Sequence, residues 1–322
     1  MCLTFAVLRI DRVRPRHLLL AVGVAFVWGF NFVVIHVGLG QLPPLLFNAL
    51  RFTLAAFPAV LFVGPPRVRW RWVLLVGLAL GVAKFSLLFA GMAAGMPAGL
   101  SSLVLQSQAV FTLVLAVILL RERPDRRQIV GMAVAVLGLV VVTLGVGPAR
   151  PPLAFALVIA AAMAWGVSNV ATRRAAPPDS FRFMVWVSAV VPVPVLALSL
   201  LTEGVDTDLR ALASLDLTGV GALVYVAGVS TLLGFAVWGR LLRTYDAGTV
   251  APFSMLVPFF GMTSAALLLD ESIRLTDVLG GIAVVGGVLY GAVRRRGATS
   301  AGAASTEKAG SPSPDQALSH SR

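Results

Sequence analysis

Residues 97–146, PAGLSSLVLQSQAVFTLVLAVILLRERPDRRQIVGMAVAVLGLVVVTLGV, recur without a gap 149 positions later as DAGTVAPFSMLVPFFGMTSAALLLDESIRLTDVLGGIAVVGGVLYGAVRR. Ala98, Gly99, Glu122, Gly131 and Gly138 of the first copy correspond to Ala247, Gly248, Glu271, Gly280 and Gly287 of the second. Each copy is two apolar segments joined by a short charged connection. The connection reads RERPDRRQ in the first copy, four arginines against two acids, and DESIRLTD in the second, three acids against one arginine. Cytoplasmic connections of membrane proteins collect Lys and Arg, so the two copies are predicted to face opposite sides of a bilayer. Inverted repeats of this kind build secondary transporters, whose substrate site lies near the midplane where the halves meet.

Working outward, the whole chain shares this character. It is 58% apolar and only 12% charged, with mean hydropathy +0.91, against about 25% charged in soluble domains. A hydrocarbon core about 30 Å thick needs roughly 20 apolar residues per helix. Ten segments meet that need, at about 18–38, 43–63, 72–94, 97–120, 128–146, 152–172, 181–201, 217–239, 247–269 and 277–293. Of the 26 basic residues, 21 fall in the terminal arms and in alternate connections, among them Arg67, Arg69, Arg71, Arg121, Arg123, Arg126, Arg127, Arg173 and Arg174. The intervening connections hold only Arg150, Arg210 and Arg274, and the longest of them also carries Glu203, Asp206, Asp208 and Asp216. This division places both termini in the cytoplasm. It also accounts for the net charge of +12 without a nucleic-acid partner.

The predicted fold is an all-α membrane protein of ten transmembrane helices in two inverted five-helix repeats, 18–146 and 152–293. Five is odd, so a duplicated half must insert upside down. The first helices of the halves match as well, AFVWG at 25–29 against AMAWG at 162–166, each followed within three residues by asparagine. A basic cytoplasmic arm, 1–17, precedes the first repeat, and a Ser-, Ala-, Gly- and Pro-rich tail, 294–322, follows the second and is expected to be disordered. Cys2 has no disulfide partner, and no Cys/His cluster has metal-ligand spacing, so no cofactor or metal is expected.

The strings AFVWGFNFVVIHVGL, LRFTLAAFPAV, GMPAGLSSLVLQSQAVFT, WGRLLRTYDAGTVAPFSMLVP and SAALLLDE, in that order, resemble the EamA family of the drug/metabolite transporter superfamily. Within it they are most similar to bacterial exporters of cysteine and O-acetylserine. The resemblance covers all ten spans. It implies a carrier of the bacterial inner membrane that exports amino acids or related metabolites by alternating access. The chain departs from that exporter subgroup at Lys84, where the subgroup carries an uncharged polar residue, and this leaves the exact substrate open.

Charged side chains inside a span cost about 2.5–3.5 kcal/mol at the helix centre on insertion scales. Only Lys84 and Arg51 sit well inside predicted spans. Lys84, near mid-depth, is expected to meet a substrate carboxylate or to change protonation during the cycle; otherwise it snorkels or pairs with a buried carbonyl. Arg51 reads either as a ligand or as a structural bond to a neighbouring helix. The fourth segment is unusually polar, with Ser101, Ser102, Gln106, Ser107, Gln108 and Thr112 within twelve residues. These groups need internal partners, and Gln106 or Gln108 reads as a substrate contact or as interhelical glue. Trp28 with Asn31, and Trp165 with Asn169, lie at near-matching depths in the two halves and pair an aromatic wall with an amide, a fit for a small zwitterion or for plain packing. Gly77-x3-Gly81, Gly91-x3-Gly95 and Gly287-x3-Gly291 permit close helix approach, within one chain or in a homodimer. Glu122 and Glu271 end their helices at opposite faces and read as structural hinges.

No Asp or Glu lies mid-span, so any proton coupling falls to Lys84 or His36, and facilitated export or exchange is equally open. A membrane enzyme would need a carboxylate, histidine or metal cluster that these short connections cannot hold. A channel is disfavoured by the absence of a filter pattern. Lipophilic-drug efflux, or uptake by the same fold, remains the alternative to metabolite export.

Overall fold

The computed structural model describes residues 14–57, 59–145, 151–245 and 247–292, and within them every regular element is helical. Most of the N-terminal arm and the whole tail from 293, whose predicted disorder is an expectation from composition, lie outside the described residues. Among the described residues nine helices are long and apolar enough to cross a membrane: α1 (Pro15–Leu39), α2 (Pro44–Phe62), α3 (Trp70–Ala93), α4 (Ala98–Leu120), α5 (Arg126–Gly145), α6 (Pro152–Ala175), α7 (Ser180–Ala213), α8 (Leu217–Thr244) and α10 (Leu275–Ala292). The remaining span, α9, is broken into Ala247–Val250, a 3₁₀ stretch Ala251–Leu256 and Val257–Leu268. Pro252 and Pro258 lack the amide that would close the intervening turns. Likewise α2 is interrupted after Ala56, where Phe57, the residue before Pro58, is extended with φ −98° and ψ 132°.

The seventh helix departs from expectation. Its apolar run ends near residue 201, yet helix continues through a π-helical turn, Leu200–Gly204, to Ala213. The acids that read as a loop are taken up instead. Ser199 Oγ lies 2.6 Å from a Glu203 carboxylate oxygen and 2.8 Å from one of the buried Asp208. Glu203 in turn accepts the Leu45 and Leu46 amides, 2.8 and 3.0 Å, and so caps the first turn of α2.

Glycine sets the packing between the halves. A Cβ on Gly131 would meet the carbonyl of Gly287, and one on Gly138 would stand 2.7 Å from both Ala283 Cβ and Gly280 O, so α5 and α10 cross backbone to backbone at reciprocal positions of the repeat. Gly29 of α1 lies against Phe260 and Gly261 of α9, and its mirror, Gly166 of α6, lies against Phe111 and Thr112 of α4. Gly77 and Gly81 lie on Val190 and Val191 of α7, and Gly91 on Ala154 and Val158 of α6. The glycine faces that could have served a homodimer are therefore covered within the chain.

Candidate functional site

Two of the helices that meet at the centre are wound as π-helices at matched places: Gly77–Lys84 of α3 and Tyr225–Leu233 of α8. A π-turn shifts the i→i−4 register and leaves carbonyls free for other partners, which is why such turns gather at functional sites. α2 lies between them and joins both. Asn48 and Arg51, one helical turn apart, share a face. Asn48 Nδ2 donates to Gly81 O and to Ser86 Oγ, both at 3.0 Å. Arg51 Nη2 donates to Thr231 Oγ1 at 2.9 Å, and Thr231 Oγ1 donates to Val226 O at 2.7 Å.

Arg51 is 2% exposed and Lys84 5%, so neither snorkels to the membrane surface. The guanidinium carbon of Arg51 stands 3.8 Å from the centre of the Phe85 ring and 4.9 Å from that of Phe52. Lys84 Nζ stands 3.3 Å from the same Phe85 ring and 4.8 Å from that of Trp165. Aromatic faces attract cations, by about 2 kcal/mol or more when both are desolvated. The two cations share one ring and cannot lie more than about 7 Å apart, where like charges repel by about 2 kcal/mol at an effective dielectric near 20. The salt bridges among the described residues, Arg173–Glu122 and Arg182–Asp179, lie at helix ends and bring neither cation a carboxylate. Arg51 Nε and Nη1 are buried without a hydrogen-bond partner. The arrangement is a desolvated, aromatic-walled cationic site in want of an anion.

A second polar group continues from it along α6. Asn169, one turn beyond Trp165, donates from Nδ2 to Gln108 Oε1 at 2.7 Å and to Thr112 Oγ1 at 3.1 Å. Gln106 Nε2 reaches Ser254 O in α9 at 3.4 Å. α4 tightens to a 3₁₀ turn at Leu105–Ser107, which corresponds in the repeat to 254–256 of the 3₁₀ stretch in α9. In the first helix, Trp28 Nε1 donates to Ser230 O of the second π-helix at 3.0 Å, while Asn31 is buried with Oδ1 unpartnered. Each tryptophan of the repeated WG pair thus touches the π-helix of the opposite half.

The structure therefore joins Lys84, Arg51 and Trp165 into one cluster, adds Asn169 and Gln108 beside it, ties Trp28 to the second π-helix, and leaves Gln106 and Asn31 in separate environments. Sequence reasoning missed Asn48 and Thr231. Asn48 carried a signal, since it lies one turn from the intramembrane Arg51; Thr231 carried none that distinguishes it from other span hydroxyls. A surface cleft of about 670 Å³ is lined by Arg67, Arg69, Arg71 and Arg174 and by none of the residues of this cluster.

The EamA-like transporter family matches residues 16–144 and 152–290. The chain is 41% identical over 276 residues to the "Probable amino-acid metabolite efflux pump" of Salmonella typhimurium, with 84% of this chain and 92% of that protein covered. It is 41% identical to the protein of the same name from Escherichia coli, at the same coverage. Identity to the "Probable terminal-alkyne amino-acid exporter" of Streptantibioticus cattleyicolor is 26%, covering 81% of this chain and 88% of that protein. A solved crystal structure 17% identical in sequence superposes with a TM-score of 0.60 over 86% of this chain and 96% of its own, a likeness of fold. Helices, repeat and relatives agree: the chain is a multi-pass membrane transporter, not an enzyme, and it belongs to the EamA-like transporter family.

Proposed function

We propose that this protein exports small carboxylate-bearing metabolites, amino acids such as cysteine or O-acetylserine, across the bacterial inner membrane by alternating access, with both termini in the cytoplasm. The observation that carries the reading is the pair of buried cations, Lys84 and Arg51, held on one Phe85 ring and, among the described residues, in salt-bridge contact with no carboxylate. An incoming carboxylate relieves their mutual repulsion and meets the unpartnered guanidinium nitrogens. Trp165 forms a wall of the site, and Gln108 with Asn169 offers amides one turn away for the amino group. Trp28, Asn31 and Gln106 serve the opposite half of the path. The names of the two relatives at 41% identity support an amino-acid substrate.

The test is counterflow of radiolabelled cysteine and O-acetylserine in proteoliposomes, wild type beside Lys84→Gln and Lys84→Ala. Saturable exchange, lost in Lys84→Ala, is expected. Exchange undiminished in both variants would remove Lys84 from the site. Absence of exchange by folded wild-type protein would overturn the amino-acid assignment and favour lipophilic compounds, which need no cation.

A further inference from the structure

Glu122 and Glu271 hold the same place in the two inverted copies, and the backbone delivers them alike. The residue before each is left-handed, Arg121 with φ 54° and Asp270 with φ 53°. Each glutamate amide donates 3.4 Å back into its helix, to Ala116 O and Ala265 O respectively. What their carboxylates meet differs. Glu271 Oε1 accepts the Ala98 amide at 2.6 Å and Oε2 the Gly99 amide at 3.0 Å, one carboxylate spread across the first two amides of α4. A Cβ on Gly99 would lie 3.1 Å from Glu271 Oε2 and 3.1 Å from Met262 Cα, so glycine permits the approach. By the repeat, Glu122 faces Ala247 and Gly248 at the start of α9. Instead it pairs with Arg173 at 2.6 Å in an exposed bridge.

The packing carries the same asymmetry. Gly131 on Gly287 mirrors Gly138 on Gly280, and Gly29 on Phe260 mirrors Gly166 on Phe111. The start of α4, buried at every residue from Ala98 to Val104, packs against Val257–Leu268 of α9. The mirror of that contact would join the start of α9 to Gln108–Leu120 of α4; no packed interface of that kind forms among the described residues, and of the latter segment only Ala116 is buried. One end of the α4–α9 seam is shut, and a carboxylate sits across the joint.

We propose that Glu271 and Glu122 are opposed latches of the transport cycle. In this conformation Glu271 holds the acidic face closed. In the opposite conformation Glu271 releases Ala98 and Gly99, and Glu122 leaves Arg173 to take the amides of Ala247 and Gly248, closing the basic face. A carboxylate on a helix N-terminus gains charge-assisted bonds and a favourable dipole, while the amides it releases open to water, which satisfies them. The exchange therefore trades near-equal interactions, as a two-way cycle requires. The inference rests on alternating access, not on the identity of the substrate.

Spin-label distances test it in a Cys2→Ser background, with one pair on the acidic face, Ala93→Cys with Ser272→Cys, and one on the basic face, Arg123→Cys with Thr244→Cys. Glu271→Gln is expected to lengthen the first distance and shorten the second, moving the two populations about tenfold. Glu122→Gln should move them the opposite way, and the double variant should return towards wild type. Gly99→Ala, whose Cβ would press on Glu271 Oε2 and on Met262 Cα while leaving the carboxylate charged, should act like Glu271→Gln. Unchanged distances in folded Glu271→Gln, or shifts of the same sign from both glutamates, would overturn the latch, as would failure of both Glu271→Gln and Gly99→Ala to fold, since the contact would then be a stabilising cap. Distances that switch as expected in a protein that exchanges no amino acid would uphold the latch while removing the substrate assignment. A single distance at each face in every variant would remove the latch and alternating access together.

Discussion

Thr231→Val isolates the bond that holds Arg51. Valine replaces the hydroxyl with a methyl of the same shape, so no cavity opens and the cost is that of the polar contacts alone. Two are lost: the 2.9 Å bond from Arg51 Nη2 and the 2.7 Å bond to Val226 O inside the π-helix. A hydrogen bond to a charged group contributes about 1.5–3 kcal/mol in soluble proteins, whereas interhelical bonds in membranes average about 0.6 and reach about 1.7 kcal/mol. For a charged donor that is 2% exposed and has two other nitrogens already unpartnered, the upper membrane figure applies. A loss of about 1.5 kcal/mol corresponds to roughly a tenfold rise in KM for a carboxylate substrate, with maximal counterflow rate little changed. Thr231→Ser keeps the oxygen and should restore the wild-type value. The assay is concentration-dependent counterflow in proteoliposomes. An unchanged KM in Thr231→Val would mean that stacking on Phe85 and Phe52 alone positions the guanidinium, and the assignment of Thr231 would fall.

Two further outcomes follow from the packing and the loops. Gly138→Val forces side-chain atoms against Ala283 Cβ and Gly280 O, each 2.7 Å from the first added carbon, and should cost at least about 1–3 kcal/mol by prising α5 from α10; a lowered thermal midpoint in detergent checks it. Asp216, between α7 and α8, has its carboxyl held below the usual value of 3.8, chiefly by the bond from Gln41 Nε2 at 2.6 Å. A depressed folded-state value stabilises the fold above the unfolded value and loses that contribution as pH falls through the folded one. Wild type should therefore be the more stable beside Gln41→Ala near neutral pH, and the gap in thermal midpoint should close as pH drops below about 3.8.

Much of the fold was legible because membranes simplify the code. A repeat with a reversed connection charge, RERPDRRQ against DESIRLTD, gives duplication and inversion at once, and long apolar runs give the helices. Lys84 and Arg51 stood out for the same reason, since lipid penalises charge. The π-helices were hidden: a shift of one residue in register changes neither hydropathy nor length, so GLALGVAK reads as ordinary helix. The extension of α7 was hidden because Glu203 is satisfied by the amides of α2, some 158 positions away in sequence. Thr231 was hidden because a span hydroxyl usually bonds its own helix, as Thr112 and Thr143 do here.

The repeat is faithful in backbone and unfaithful in chemistry, and the division has a physical logic. The π-helices of α3 and α8, the 3₁₀ turns of α4 and α9, the left-handed residues before Glu122 and Glu271 and the reciprocal glycine contacts of α5 and α10 come in mirrored pairs. A cycle between two mirrored conformations needs both copies of each, because what one half does at one face the other must do at the opposite face. The charge does not come in pairs. Lys84 closes the first π-helix, and Leu233, exposed, closes the second. Lys84 is buried against Phe85 and Trp165, whereas the matching position 233 lies at the surface, so a cation is held desolvated in one half alone. One cation cluster near the pseudo-twofold centre can be reached from either face as the latches exchange. Introducing Leu233→Lys, an exposed position away from the Phe85 ring, should therefore leave substrate affinity and counterflow near wild type; tighter binding with slowed exchange would show that position 233 also lines the path and that the charge is not confined to one half.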